Sequence, residues 1–99
     1  MRPPVIFTPV AREELIDAQD WYENKVPGLG RRFRAAVDDL IQRIMANPHQ
    51  FPVIDKNIHR ALFRRFPYAL MFVIDPNDGV IVIACFHGSR NPMQWRRRA

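Results

Sequence analysis

Two neighbouring stretches of this chain are apolar on both of their alternating faces, which constrains the fold more than any other feature. In residues 68–75, Tyr68, Leu70, Phe72 and Ile74 alternate with Ala69, Met71 and Val73. In residues 80–87, Val80, Val82, Ala84 and Phe86 alternate with Ile81, Ile83 and Cys85. Successive side chains of a strand point to opposite faces, so an antiparallel sheet with one wet face alternates apolar with polar residues. These strands do not, and both faces of their sheet need cover. Pro76, Asn77, Asp78 and Gly79 join them, the Asp-Gly step offering the positive φ of a tight hairpin.

Cover for one face is found upstream. Thr8 followed by Pro9 predicts a helix start, with a hydroxyl to cap free N–H groups and proline at the first helical position. Glu13, Glu14 and Asp17 are expected in early turns, where negative charge suits the helix dipole. Ala11, Leu15, Ala18 and Tyr22 recur at helical spacing. Residues 24–28 break that helix. A second, longer one follows with Leu29, Phe33, Ala36, Val37, Leu40, Ile41 and Ile44 on one face, its arginines and aspartates read as mostly solvated, and Asn47-Pro48 as its end. So short a connection makes the two helices antiparallel neighbours.

Residues 4–8 are a β-prone first strand and residues 58–66 a mixed strand, with Arg65-Phe66-Pro67-Tyr68 bending into the next. The expectation is one α+β domain over residues 1–99, ordered β-α-α-β-β-β, with a helical hairpin packed on one face of a small, mainly antiparallel sheet. The second face falls to the chain's own tail, including Met93 and Trp95, or to a partner protein; the two are not exclusive.

Composition narrows the functional class. A 47% apolar and 11% aromatic content sustains one core and argues against disorder. A single cysteine, Cys85, excludes a disulfide framework, and neither metal-ligand spacing nor a glycine-rich phosphate loop is present. No apolar run is long enough to span a bilayer, and Met1-Arg2-Pro3-Pro4 lacks the layout of a signal peptide. A cytoplasmic protein without metal, cofactor or membrane contact is expected.

The net charge of +5 is unevenly placed. Residues 1–55 carry seven Lys/Arg against eight Asp/Glu, whereas residues 56–99 carry eight Lys/Arg against two Asp. All eight but Lys56 are arginines, the residue suited to bidentate phosphate or carboxylate contacts. A basic half points to a polyanion or an acidic protein partner.

The run Ile58-His59-Arg60-Ala61-Leu62-Phe63-Arg64-Arg65-Phe66-Pro67-Tyr68, with Val82-Ile83-Ala84-Cys85-Phe86-His87-Gly88-Ser89-Arg90-Asn91-Pro92 and the later Trp95, resembles the RelE/ParE superfamily of toxins. Phe7-Thr8-Pro9 and Ala11, Leu15, Ala18, Trp21 and Tyr22 are similar to that superfamily's first helix. The similarity covers essentially the whole chain, and Arg-Phe-Pro-Tyr combined with His-Gly-Ser-Arg-Asn-Pro is its specific part. The resemblance implies the toxin of a type II toxin–antitoxin (plasmid stabilisation) system, whose cognate antitoxin wraps it. Leu70, Met71, Phe72 and Val82 are the candidate antitoxin contacts. Two branches of the superfamily act differently: one poisons DNA gyrase, the other cuts mRNA on the ribosome without a metal.

Metal-free RNA cleavage needs a base for the 2′-hydroxyl, cations for the phosphorane and an acid for the leaving oxygen. On a ribonuclease reading, His87 is the acid or base, Arg65 holds the phosphate and Lys56 is a second base. Target or nucleic-acid binding falls to Arg60, Arg64, Arg90, Trp95, Arg96, Arg97 and Arg98. If residues 58–66 are one strand, Arg60 and Arg64 share a side and Arg65 takes the other. The plainer alternatives are that His87 anchors a turn, the arginines guard a sheet edge, and residues 91–99 are a solvated tail. Trp21 is expected to cap the helix pair, His59 to lie on the surface and His49 in a loop. Ribonuclease members bring a lysine cluster and a late tyrosine, or a Glu–His pair. This chain has one lysine there, no tyrosine after Tyr68 and no glutamate after Glu23, which favours the gyrase branch. A nucleic-acid-binding module without toxicity is the remaining alternative.

Overall fold

The computed structural model describes residues 5–77 and 79–88. Its elements run β1 (Val5–Phe7), α1 (Pro9–Lys25), α2 (Leu29–Ala46), a 3-10 turn (Pro48–Gln50), β2 (Val53–Asp55), β3 (Ile58–Leu62), β4 (Tyr68–Asp75) and β5 (Gly79–His87). The strands form one sheet in the order β1-β5-β4-β3-β2. β1 pairs with β5 in parallel and the other pairs are antiparallel. Both helices lie on one face, as expected from their stripes.

The helix ends follow their residues. Thr8 Oγ accepts the Ala11 N–H at 3.2 Å, and Pro9 opens α1. Glu13 and Glu14 fall in the second turn of α1, and the first turn contains no acidic residue. α2 starts from Gly28, whose φ of 89° disfavours a side chain. The Glu23 carboxylate supplies the missing cap by accepting the N–H groups of Gly28 and Gly30, each at 3.0 Å. At Gly30 the helices come so close that a Cβ would sit 2.8 Å from the Gln19 carbonyl oxygen.

Two strand readings need correction. β2, a three-residue edge strand, was not expected. The strand expected over residues 58–66 ends at Leu62, where the chain leaves the ladder for the bend that leads to Pro67 and Tyr68. The Phe63 N–H instead donates to the Tyr68 carbonyl at 3.0 Å, closing a hairpin whose loop is residues 64–67. Strand alternation therefore does not govern Arg64 and Arg65.

A bulge divides β5. Met71 pairs with Ala84 but Phe72 with Val82, so Ile83 is an extra residue. Before it, Val80 and Val82 face the helices; after it, Cys85 does, while Ile83, Ala84 and Phe86 join the opposite face. The simple alternation expected for residues 80–87 thus fails at its midpoint.

Two apolar clusters result. Under the helices, Phe33, Val37, Leu40, Ile44, Leu70, Phe72 and Val82 form the main core. On the other face Ile58, Ala69, Met71, Ile83, Ala84 and Phe86 form a second buried cluster, as the double-faced strands required. The expectation that Met93 and Trp95 take part concerns residues outside those described. His59 is not a surface residue but is 8% exposed. Its Nδ1 pairs with the Phe51 carbonyl at 2.8 Å, and its ring stacks on Phe72. His49, expected in a loop, lies exposed in the 3-10 turn.

Candidate functional site

The 64–67 loop separates two grooves. On one side α1 faces the ends of β4 and β5 across a groove of about 580 Å³, lined by Glu14, Asp17, Trp21, Tyr68, Cys85 and His87 among others. On the other side, α2 and the loop enclose a groove of about 720 Å³. Both are open to solvent.

The α1 groove depends on the Ile83 bulge. Without the extra residue, alternation from Val82 would turn His87 to the helix-free face; with it, His87 lines the α1 groove beside Tyr68, its partner across the sheet, the rings meeting edge to face at 5.2 Å. β1 covers β5 only from Val80 to Val82. Further along, Glu14 takes the place of a neighbouring strand, its carboxylate accepting the Cys85 N–H at 3.1 Å. Burial raises the Tyr22 phenol above its ordinary value, and the neighbouring Tyr68 adds to the shift. Trp21 does not cap the helix pair: it is 54% exposed on the groove wall, with the Lys25 ammonium 5.1 Å from its ring centre. The groove is aromatic and carries the carboxylates of Glu14 and Asp17.

The α2 groove has the opposite character. Arg64 and Arg65 project into it from the loop, joined by Arg32 and Arg43 of α2, with Asp39 the one carboxylate among its described lining residues. Its floor is apolar, from Leu40, Phe63, Phe66, Leu29 and Ala36. Arg32 and Arg43, expected on a solvated face, share one helical stripe with Ala36, Asp39 and Leu40, and their spacing in the sequence carries that signal.

The expected site residues are distributed as follows. His87 stands in the α1 groove and Arg65 in the α2 groove. Lys56 is exposed in the β2–β3 turn, with φ of 50°. That turn lies beyond the His59–Phe72 pair, whereas His87 pairs with Tyr68; the four steps of β4 between them span roughly 13 Å. The three ribonuclease candidates therefore line no common cavity. Arg60 is exposed on the helix-free face opposite Met71, apart from Arg64. Arg90, Trp95, Arg96, Arg97 and Arg98 lie outside the described residues. Of the antitoxin candidates, Leu70, Phe72 and Val82 are 0% exposed beneath the helices, so a partner reaches them only by opening the core; this corrects their assignment as contacts. Met71 alone is on the helix-free face. Among the described residues, no group of His, Cys, Asp and Glu has the arrangement of a metal site, and no helix is long and apolar enough to cross a membrane.

A helical hairpin on a five-stranded, mostly antiparallel sheet recurs in solved structures. The toxin–antitoxin structure of the chromosomal ParDE system from P. aeruginosa matches with a TM-score of 0.75 at 12% identity, covering 87% of this chain and 96% of that one. The RelBE2 toxin–antitoxin complex from Mycobacterium tuberculosis matches with a TM-score of 0.58 at 24% identity, covering 88% of this chain and 99% of that one. At such identities these likenesses speak for the fold. No curated protein sequence is similar enough to be matched with this chain. Residues 5–92 match the model of the ParE toxin of the type II toxin–antitoxin system parDE, and the chain belongs to that family, within the RelE/ParE superfamily.

Proposed function

We propose that this chain acts in the cytoplasm as a growth-inhibiting toxin that poisons DNA gyrase and is held silent by its cognate antitoxin. The observation that carries the gyrase reading is the separation of acid–base chemistry from positive charge. His87 shares its groove with Glu14 and Asp17, while Arg64 and Arg65 line the other. A phosphorane carries extra negative charge, and two carboxylates beside the proton-transfer group work against it. Cations positioned around the reacting phosphate are what ribonuclease chemistry requires, and among the described residues lining the α1 groove there is no lysine or arginine. A toxin that acts by binding needs no such assembly. Membership of the ParE family supports the same branch.

The test is to induce the protein alone in growing bacteria, map mRNA 5′ ends by primer extension, and assay purified protein for inhibition of gyrase supercoiling. Growth arrest, loss of supercoiling and no new cuts within codons are expected. His87→Ala is expected to leave the arrest intact. Cuts that vanish in His87→Ala would replace this reading with a ribosome-dependent ribonuclease, and unimpaired growth would remove the toxin reading altogether.

A further inference from the structure

We infer that residues 89–99 run back across the helix-free face of the sheet as a strap, with Met93 and Trp95 seated on its apolar cluster. Burial is the first support. Ile58, Ala69, Met71, Ile83, Ala84 and Phe86 are each at most 5% exposed, although both helices pack against the opposite face. A sheet face without a second layer stays wet, so these side chains need a cover, and among the described residues no helix or strand lies over them. The cover is narrow. On the same face Leu62, the partner of Ala69, is 56% exposed, and Arg60, the partner of Met71, is exposed as well. Val73 and Ile81, nearer the β4–β5 turn, are half-buried. The protected band therefore runs obliquely from Phe86 to Ile58. A helix, about 10 Å across, spans two strands and would cover Leu62 too; a single extended chain would not.

Reach selects the segment. The Gly88 N–H donates to the Pro67 carbonyl at 2.7 Å, so the chain leaves the sheet at the Phe86 end of the band. Asn91-Pro92 is a turn-forming pair that can reverse it. From Phe86 to Ile58 is two strand spacings across and about four steps along β4, roughly 16 Å, which residues 93–99 cover when extended. Residues 1–4 lead into Val5, the partner of Val80, and reach about 13 Å, short of Phe86 at the far end of β5. Chemistry agrees. Met93 and Trp95 are two apart, so both face the sheet in an extended strap while Gln94 faces water. Ala69 pairs with Phe86 and Met71 with Ala84, which puts the two small residues on one diagonal and the two large ones on the other. The alanine diagonal is a trough for an indole ring, with a thioether and a phenyl ring along its edges.

The strap has a consequence for the site. Past Trp95 the chain comes to β3 and β2, where Arg60 is exposed and Asp55, the partner of Ile58, offers a carboxylate to a guanidinium. Arg96, Arg97 and Arg98 then join Arg60 in one cationic edge, although they are far apart in the sequence. That the edge meets the target rests on the toxin reading above; the strap itself does not.

Tryptophan fluorescence of the full chain tests this. Trp21→Phe leaves Trp95 as the only tryptophan. Its emission should be blue-shifted and weakly quenched by iodide, and both properties should vanish in denaturant. Adding Met93→Asp, a change in the strap and not in the sheet, should bring emission and quenching close to those of the denatured chain while the helical circular dichroism persists. The same change should move the amide chemical shifts of Met71, Ile83 and Phe86. Met71→Lys, made from the sheet side, should expose Trp95 likewise. A native chain whose Trp95 emits and quenches as in denaturant would overturn the inference. So would shifts that move at Glu14, Tyr68 and His87 instead, which would put the strap in the α1 groove, or a buried Trp95 that becomes exposed on dilution, which would put it on a second copy. For the cationic edge, Met93→Asp should weaken inhibition of gyrase supercoiling about tenfold, and full inhibition by that variant would break the link between strap and target. Growth arrest by the unaltered chain keeps the readings apart. Arrest with an exposed Trp95 sinks only the strap, whereas a buried Trp95 without arrest sinks only the toxic activity.

Discussion

The two grooves share an aromatic wall and differ in almost everything else. Tyr22 of the α1 groove and Phe66 of the α2 groove meet edge to face at 4.9 Å, and Phe33 packs against both. Yet one groove carries Glu14, Asp17 and His87, and the other Arg32, Arg43, Arg64 and Arg65. Opposite electrostatics are thus held a ring's width apart by uncharged packing. The two kinds of group that phosphate chemistry would combine are kept separate by the same residues that build the core.

That shared wall gives the strongest way to break the comparison. Phe33→Ala removes the ring between the grooves and should cost about 3–5 kcal/mol, measured by denaturant unfolding, with both grooves losing their shape together. If amide chemical shifts around either groove stayed unchanged in the folded fraction, the wall would not be shared in the sense described. A smaller effect is expected from Glu23→Ala. It frees the N–H groups of Gly28 and Gly30 at the start of α2 and should cost about 1 kcal/mol, loosening the α2 groove while sparing the α1 groove. The smallest effect concerns Tyr22. Its phenol is raised by burial, and by Tyr68 beside it, so its contribution to stability is complete below pH 10 and is lost as pH rises through the higher folded value. Tyr22→Phe should therefore flatten the alkaline fall in unfolding temperature above pH 10, and an unchanged slope would show that this phenol does not titrate in the fold.

Much of this fold could be read from its residues, for identifiable reasons. α1 and α2 are long and periodic, β4 and β5 are long apolar runs, and breakers such as Thr8-Pro9, Gly28 and Asn47-Pro48 bound the helices. β2 is too short to show a period, and β3 gives way to the 64–67 loop inside a run of residues that reads as one strand. The burial of His59 depends on the Phe51 carbonyl supplied by another segment, which no local pattern reports. The site was less legible than the fold. Arg64 and Arg65 stand out as candidates from the residues alone, but strand alternation stops before them and does not give their side. Arg32 and Arg43 carried a helical spacing that pointed to the same groove. The bulge left no mark at all, because Ile83 is apolar and sits among residues apolar on both sides.

That last point bears on how the sheet finds its alignment. In most half-buried sheets a slip of one residue exchanges apolar for polar and is rejected at once. Here β4 and β5 would trade one apolar set for another, so hydrophobicity alone discriminates poorly between neighbouring alignments. The extra residue at Ile83 has no counterpart on β4, and any slip must move the misfit elsewhere. It acts as a registration key: a single unpaired position holds two otherwise interchangeable strands in one alignment, and with it the direction in which His87 points.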